Sequence, residues 1–456
     1  MFKKFTLHKS EKNLLLNIIM AFVIKGLSLL ISLFSTPLYI KYFDDNVVLG
    51  VWYTILSVLS WITVADLGLG NGLRNKLTQA LAAKDEKLAQ KYVSSAYVAV
   101  SLIILPIAVV GIVLIQFLDL NAVLNISSTV VSNETLKIAV SILFGGVCFN
   151  FIVKMISNVI YAMQKSSINN FKALITSILP LIYMLFFKSE NIEVNLISLS
   201  VVHVLSISLP MIVATIIIFA KPLRFCRPSL KAYDRESARS VMGLGLKFFA
   251  AQIFFMLMMS TNEIIINSFF SPEYVVEYNI YYRVFTMVGS LFMLALTPLW
   301  SKVTEDLVNK RFLVVKKTNR ILYLISALAF LAEFAIIPFL QWFLNIWLQD
   351  ATIVVDITTA LYFALFGGVY IFNIALTTVA NGMGDLRTQI VFYGIGSVLK
   401  VPAVLLLKLQ FEHWNVILLY NSFVLLAFCV FQLFWIEKKI KALIDEENNK
   451  ITYIGE

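Results

Sequence analysis

Charge is scarce in this chain. Asp, Glu, Lys and Arg make up 14% of its 456 residues, where soluble domains carry roughly 25%. That scarcity excludes an ordinary water-soluble globule. Cysteine is scarcer still. Cys148, Cys226 and Cys429 lie far apart and fit neither a disulfide framework nor a metal-ligand spacing. Cys148 and Cys429 fall in apolar stretches and read as packing residues. Walker and zinc motifs, a nucleophile elbow and a long Gly-rich phosphate loop are all missing, so no ATPase domain is encoded. The longest loop on the expected outer side, roughly 119–136, is too short for a folded domain. Enzymes that polymerise or ligate polysaccharides need a larger one.

Apolar sequence is abundant. The chain is 59% hydrophobic with mean hydropathy +0.85, which is the composition of an integral membrane protein. Twelve stretches are long and apolar enough to span: about 13–40, 47–69, 92–118, 137–162, 168–188, 195–220, 241–269, 273–300, 320–345, 353–381, 387–408 and 412–436. The first is too long for a signal peptide and lacks a cleavage site, so it is expected to stay as an anchor.

The net charge of +10 does not indicate nucleic-acid binding, because of where the charge lies. With both termini cytoplasmic, most of the 37 lysines and arginines fall before span one, after even-numbered spans or in the tail. Outside the spans, only Lys41, Lys137, Lys188 and Lys408 fall on the opposite side. This is the positive-inside bias. Trp52, Trp342, Trp347 and Trp414 are expected in an outer aromatic belt, and Trp300 and Trp435 in an inner one. The charged loops 70–91, 221–240 and 301–319 suit amphipathic interfacial helices.

The chain divides near its middle, giving lobes 1–222 and 223–456. Leu-Phe-Gly-Gly-Val occurs at 143–147 and again at 365–369, in the fourth span of each half. Two six-span halves in one orientation form a known transporter plan, with substrate between them. Gly-Gly pairs also simply let helices approach. Prolines at 37, 106, 180, 210, 298, 338 and 402 lie inside spans and read as bends.

Polar residues at helical spacing form stripes: Asn17, Lys25, Ser28, Ser32 and Ser35; Asn150, Lys154 and Asn158; Gln252, Glu263 and Asn267; Asn279, Arg283, Thr286 and Ser290; Gln389, Tyr393, Ser397 and Lys400. Serines and threonines alone read as interhelical glue. The cations carry more weight, since one at the bilayer centre costs at least ~2.5–3.5 kcal/mol unless it faces a cavity or a partner. Lys25, Lys154, Arg283 and Lys400 are therefore the candidate substrate-binding residues, for anionic cargo. Lys247 lies near the surface and is expected to snorkel. Glu263 is placed to neutralise Arg283. Glu333 is a buried acid without an obvious partner, suited to a structural pairing or a coupling proton. Asn150 and Asn279 complete the candidate cavity. Tyr274, Tyr278, Tyr281 and Tyr282 suit the outer interface or stacking on sugar rings.

Ala65-Asp66-Leu67-Gly68-Leu69-Gly70-Asn71-Gly72-Leu73-Arg74-Asn75-Lys76 closes span two. With Gly50-Val51-Trp52 and Trp61, it resembles the signature of bacterial polysaccharide flippases of the Wzx (O-antigen and capsule) type, in the MOP exporter superfamily. The resemblance covers essentially the whole chain. It implies an all-α fold, with twelve transmembrane helices in two six-helix lobes, in the bacterial cytoplasmic membrane. It also implies a transporter rather than an enzyme, without cofactor or metal. The cargo would be an undecaprenyl-pyrophosphate-linked oligosaccharide repeat unit, flipped to the outer leaflet by alternating access through a cationic cavity. A polysaccharide polymerase and other assembly proteins are the implied partners. Cavity cations of that family map by type and approximate place onto Lys25, Lys154 and Arg283. Asp66, Gly68, Asn71, Gly72 and Arg74 belong to the motif, with a structural role at the cytoplasmic lip.

Three alternatives compete. A MATE-like multidrug exporter would want acids in its cavity for cationic drugs. A lipid II flippase resembles a fourteen-span plan. A polymerase or ligase would need the missing outer loop.

Overall fold

The computed structural model describes residues 38–64, 68–124, 126–271, 273–348, 354–411 and 413–455, with scattered positions between 19 and 35. Lys25 and Asp66, like Asn17, Ser28, Ser32 and Pro37, lie outside the described residues. The chain forms two compact units, Met1–Phe249 and Ala250–Glu456.

The first unit is built from α1 (Asn46–Val64), α2 (Leu69–Ala82), α3 (Glu86–Phe117), α4 (Leu120–Leu124), α5 (Asn133–Val153), α6 (Met155–Ala162), α7 (Ser166–Phe186) and α8 (Ile192–Ala220). Two short 3-10 turns, Arg224–Cys226 and Leu230–Ala232, lead into α9 (Arg235–Ser260), inside which the boundary between the units falls. Side-chain caps mark the helix starts. Asp85 accepts from the Leu88 amide at 2.9 Å, and Asn191 accepts from the Glu193 amide at 2.8 Å. Each satisfies an orphan first-turn donor, worth about 1 kcal/mol. The Glu193 carboxylate in turn accepts from the Ser132 amide at 2.7 Å, tying the start of α8 to that of α5. α5 packs on both α3 and α8, and α7 lies on α8.

The second unit continues with α10 (Asn262–Phe269), α11 (Glu273–Val308), α12 (Phe312–Leu348), α13 (Ile357–Met383), α14 (Arg387–Val398), α15 (Lys400–Lys408) and α16 (Val416–Gly455). α13 is its centre, packed by α11, α12 and α16. Over its most apolar stretch 78% of residues are buried, against 17–28% for the same measure of α11 and α12. Those two instead turn Met287, Met293, Leu324, Leu328 and Leu331 outward, as lipid-facing helices do.

Among the described residues nine helices are long and apolar enough to cross a membrane, or ten if the bent pair α14/α15 counts as one span. They coincide with the third to twelfth expected spans. The second appears as α1, whose described apolar helix, Val47–Leu56, is shorter than a full crossing. The first lies largely outside the described residues.

The spans are interrupted in ways that the apolar pattern did not announce. α5 and α6 are separated at Lys154, and α9 and α10 at Thr261. α14 and α15 meet at Leu399 with a 49° bend. The cause of the last is Pro402, which offers no N–H to the Val398 carbonyl and crowds it.

The aromatic belt needs correction at two positions. Trp52 and Trp414 are fully buried, not at a water interface. Trp52 packs against Tyr39, Phe43 and His203, and Trp414 against Tyr278 and Phe363. Their rings serve the interior of their own units. Trp342, by contrast, is exposed, and the side chain of Trp347 is outside the described set. All three cysteines are free and buried.

Candidate functional site

The motif that closes α1 is a packing node. Gly68 starts α2 with φ +61°, a left-handed conformation that costs other residues energy. A Cβ there would lie 2.3 Å from the Gly245 carbonyl oxygen, and one on Gly72 would lie 2.3 Å from that of Val241. The two glycines thus let α2 touch the backbone of α9 along Val241, Gly245 and Phe249. Arg74 is buried with its guanidinium 4.9 Å from the centre of the Tyr161 ring, a cation–π distance. Asn71, half-buried, donates its backbone N–H to the Gly68 carbonyl at 3.0 Å.

Of the candidate cations, Lys154 is half-buried at the break between α5 and α6. Asn150, one turn earlier, donates to the Ile207 carbonyl at 2.9 Å and so links α5 to α8. Arg283 is exposed on α11, and Glu263 is exposed on α10. The expected pair is not formed. Among the described residues neither group makes an ion pair, and Glu263 lies instead within electrostatic reach of Tyr278 and Tyr282 on α11. Asn279 donates to the Val275 carbonyl at 2.9 Å, within its own helix. Lys247 is exposed.

Lys400 has a different setting from the one expected of a cavity residue. Its side chain is 1% exposed. The ammonium donates to the Met258 carbonyl oxygen, to Thr261 Oγ1 at 2.9 Å and to Asn262 Oδ1. Asn421 donates to the same Asn262 oxygen at 3.0 Å, while Asn262 donates to the Tyr278 hydroxyl at 2.7 Å. Lys400 thereby connects the break at Leu399 to the break at Thr261. These are internal acceptors; the ammonium is engaged within the second unit.

Two of the four tyrosines turn inward, while Tyr274 stays exposed and Tyr282 is half-buried. Tyr278 and Tyr281 are buried, and Tyr281 stacks on Phe363 with ring centres 5.4 Å apart. Its hydroxyl accepts from the Asp356 amide at 2.9 Å.

Sequence reasoning missed Lys172. It is 4% exposed on α7 and donates to Ser157 Oγ at 2.8 Å and towards Met211 Sδ at 3.1 Å. Asn169 donates to the Ser157 carbonyl beside it at 2.9 Å. The run Asn169, Lys172, Thr176 lies on one helical face, and that spacing was the available signal. Glu333, on α12, is fully buried with both carboxyl oxygens lacking a hydrogen-bond partner.

An apolar groove of about 870 Å³ lies along the α14/α15 bend and α16, bounded by Leu365, Leu399, Ala403, Leu407, Phe423 and Ala427. Among the described residues no cluster of three His, Cys, Asp or Glu could hold a metal.

Solved structures share this arrangement. A MATE protein in its straight conformation superposes with TM-score 0.74 at 13% identity, over 95% of this chain and 97% of its own. The Vibrio cholerae MATE transporter VcmN in its bent form gives 0.72 at 12%, over 95% and 99%. A MOP superfamily transporter from Pyrococcus furiosus Vc1, described by the reverse polarity of its binding pocket, gives 0.71 at 12%, over 94% and 95%. The chain has the MATE transporter fold. Identities this low show the fold alone. No family model matches the sequence, and no curated protein matches it.

Proposed function

We propose that this chain flips an undecaprenyl-pyrophosphate-linked oligosaccharide from the cytoplasmic to the outer leaflet of a bacterial cytoplasmic membrane. The observation that carries the proposal is Arg283, a guanidinium exposed within an apolar span and without an ion-pair partner among the described residues. Against lipid such a charge is costly. Against a pyrophosphate it makes bidentate, charge-assisted hydrogen bonds. Lys25 and Lys154 are the cations that the sequence offers within spans of the first half. The apolar groove beside α15 offers the isoprenoid tail an apolar surface while the head group is held. An inside-negative potential assists export by roughly 2.3 kcal/mol per charge per 100 mV.

A MATE-like multidrug exporter is the second reading, favoured by the neighbours in fold, one of them described as a multidrug resistance transporter. Pocket polarity separates the two readings. Cationic drugs require acids, and of the two acids deep within spans Glu333 is fully buried while Glu263 is exposed.

The test replaces the cations one at a time. Lys25→Ala and Arg283→Ala are expected to abolish surface polysaccharide at normal protein levels, with lipid-linked repeat units retained on the cytoplasmic leaflet. Lys25→Arg should keep partial function, and Arg283→Lys should lose more, because the guanidinium fork is gone. Wild-type surface polymer in both alanine variants would refute the anionic-cargo reading.

A further inference from the structure

Glu333 sits where an ionised carboxylate is not tolerated. Its residue exposure is 0%, and neither carboxyl oxygen has a hydrogen-bond partner. An unpaired charge buried in apolar surroundings is far costlier than the neutral acid. The ionisable side chains on the helices packed against α12 do not compensate it. Tyr281, Tyr282 and Arg283 on α11, Tyr362 and Tyr370 on α13, and Tyr420, Cys429 and Glu437 on α16 make no hydrogen bond or ion pair to it.

The surroundings are shaped around the carboxyl. Across the helix interface lies Gly367, where a Cβ would stand 2.9 Å from the Glu333 carboxyl carbon. A side chain there would push the carboxyl aside, so glycine at this position lets the acid lie directly against α13. Phe330, one turn before Glu333 on α12, packs over Gly368 and closes one side. Pro338 lies just over one turn further along α12. It leaves the Phe334 carbonyl without its helical donor, which makes this part of α12 a bending point. Among the described residues the first unit has no buried carboxyl without a hydrogen-bond partner. Shifted by the spacing of the two Leu-Phe-Gly-Gly-Val segments, Glu333 falls on Gly111, a glycine of α3 that faces Phe144. The acid therefore belongs to one half alone and is not part of the repeated scaffold.

We propose that Glu333 is a proton-binding site. Its carboxyl holds a proton in the conformation seen here and yields it to water when α12 bends away from Gly367. The O–H bond breaks heterolytically, leaving a hydrated carboxylate and a hydronium ion, and closure of the helices requires the proton to return. This goes beyond the proposed cargo and does not depend on it.

The test uses full-length protein reconstituted in lipid, without cargo. Infrared difference spectra, recorded in light and heavy water, are expected to contain the C=O stretch of a protonated carboxylic acid at neutral pH. Glu333→Gln, isosteric with the neutral acid, should remove that band. The band should disappear as the pH is raised through the range in which the protein stays folded, as the carboxylate form gains water. If Glu333→Gln does not accumulate, Gly367→Ala serves instead, and should shift the band by pressing on the carboxyl. Absence of the band at neutral pH overturns the proposal, since the acid is then ionised. So does a band that persists unchanged at every pH, since the acid is then a permanent packing group. Because the spectra need no cargo, failure of the flippase reading would leave this result standing.

Discussion

Lys400 donates its ammonium to Asn262, so that a cation at one helix break is held by an amide at another. With the Met258 carbonyl and Thr261 hydroxyl completing its partners, the lysine is a fastener between α15 and the α9–α10 junction. Lys400→Met is expected to lower the melting temperature of the detergent-purified protein. The loss should be roughly 2–4 kcal/mol, because three buried acceptors lose a charged donor. Lys400→Gln should recover part of it. Unchanged melting together with lost transport would instead assign Lys400 to the cargo.

The glycines of the α2 motif make a sharper prediction. Gly72→Ala forces a methyl to within 2.3 Å of the Val241 carbonyl oxygen, and overpacking of this kind costs about 1–3 kcal/mol. Protein yield and thermal stability should both fall. Gly50→Ala is the control, because a Cβ there meets nothing within 4 Å, and it should be neutral or slightly stabilising. Equal behaviour of the two variants would remove the packing role of the motif.

The amount of this fold visible in the sequence differs between elements for physical reasons. The spans from α3 onwards were legible because a bilayer demands long apolar runs, and α3, α5, α8 and α16 satisfy that plainly. The breaks at Lys154, Thr261 and Leu399 were not, because a broken helix keeps the composition of a continuous one. The orientation of individual side chains was legible only in part. Asn150 and Lys400 were correctly placed within spans, but their partners, Ile207 and Met258, lie 57 and 142 residues away in sequence. Glu263 and Arg283 have compatible depth along the sequence, yet among the described residues no ion pair joins them, because depth alone does not fix which face of a helix a side chain occupies. Trp52 and Trp414 sit near span ends, where the aromatic-belt rule applies, but tertiary packing draws them inside.

One surface pair responds to acid. Asp385, in the turn between α13 and α14, is partly buried, which raises its pKa. Lys439, at 2.7 Å, and the Trp435 indole, at 3.2 Å, more than offset that and hold the carboxyl below its ordinary range. A depressed carboxyl stabilises the folded state above its unfolded pKa and loses that contribution as pH falls through its folded pKa. Asp385→Asn should therefore reduce stability at neutral pH by about 1 kcal/mol, an upper value for a partly exposed pair. The difference from wild type should vanish in acid. A difference that persists at low pH, measured by melting, would rule out the ionic contribution.

The orientation assigned from charge asymmetry is open to a direct check. Because the three native cysteines are buried, background labelling should be low. Cysteine introduced at Lys231, in the loop after α8, is expected to resist an impermeant thiol reagent in intact cells. Cysteine at Ser132, at the start of α5, should react. The opposite pattern would invert the topology.

The central position of α13 bears on how the chain is made. A helix shielded over 78% of its most apolar stretch emerges from the ribosome before the helix that shields its last face. Asn373 finds its partner in Tyr393, and Asn381 in Gln389, both on α14, which is synthesised later. Until then these two amides face lipid or the insertion machinery. Biogenesis of the second unit thus contains an obligatory waiting period. Shortening the chain before α14 should leave α13 a target for membrane quality control, even though each preceding helix is intact.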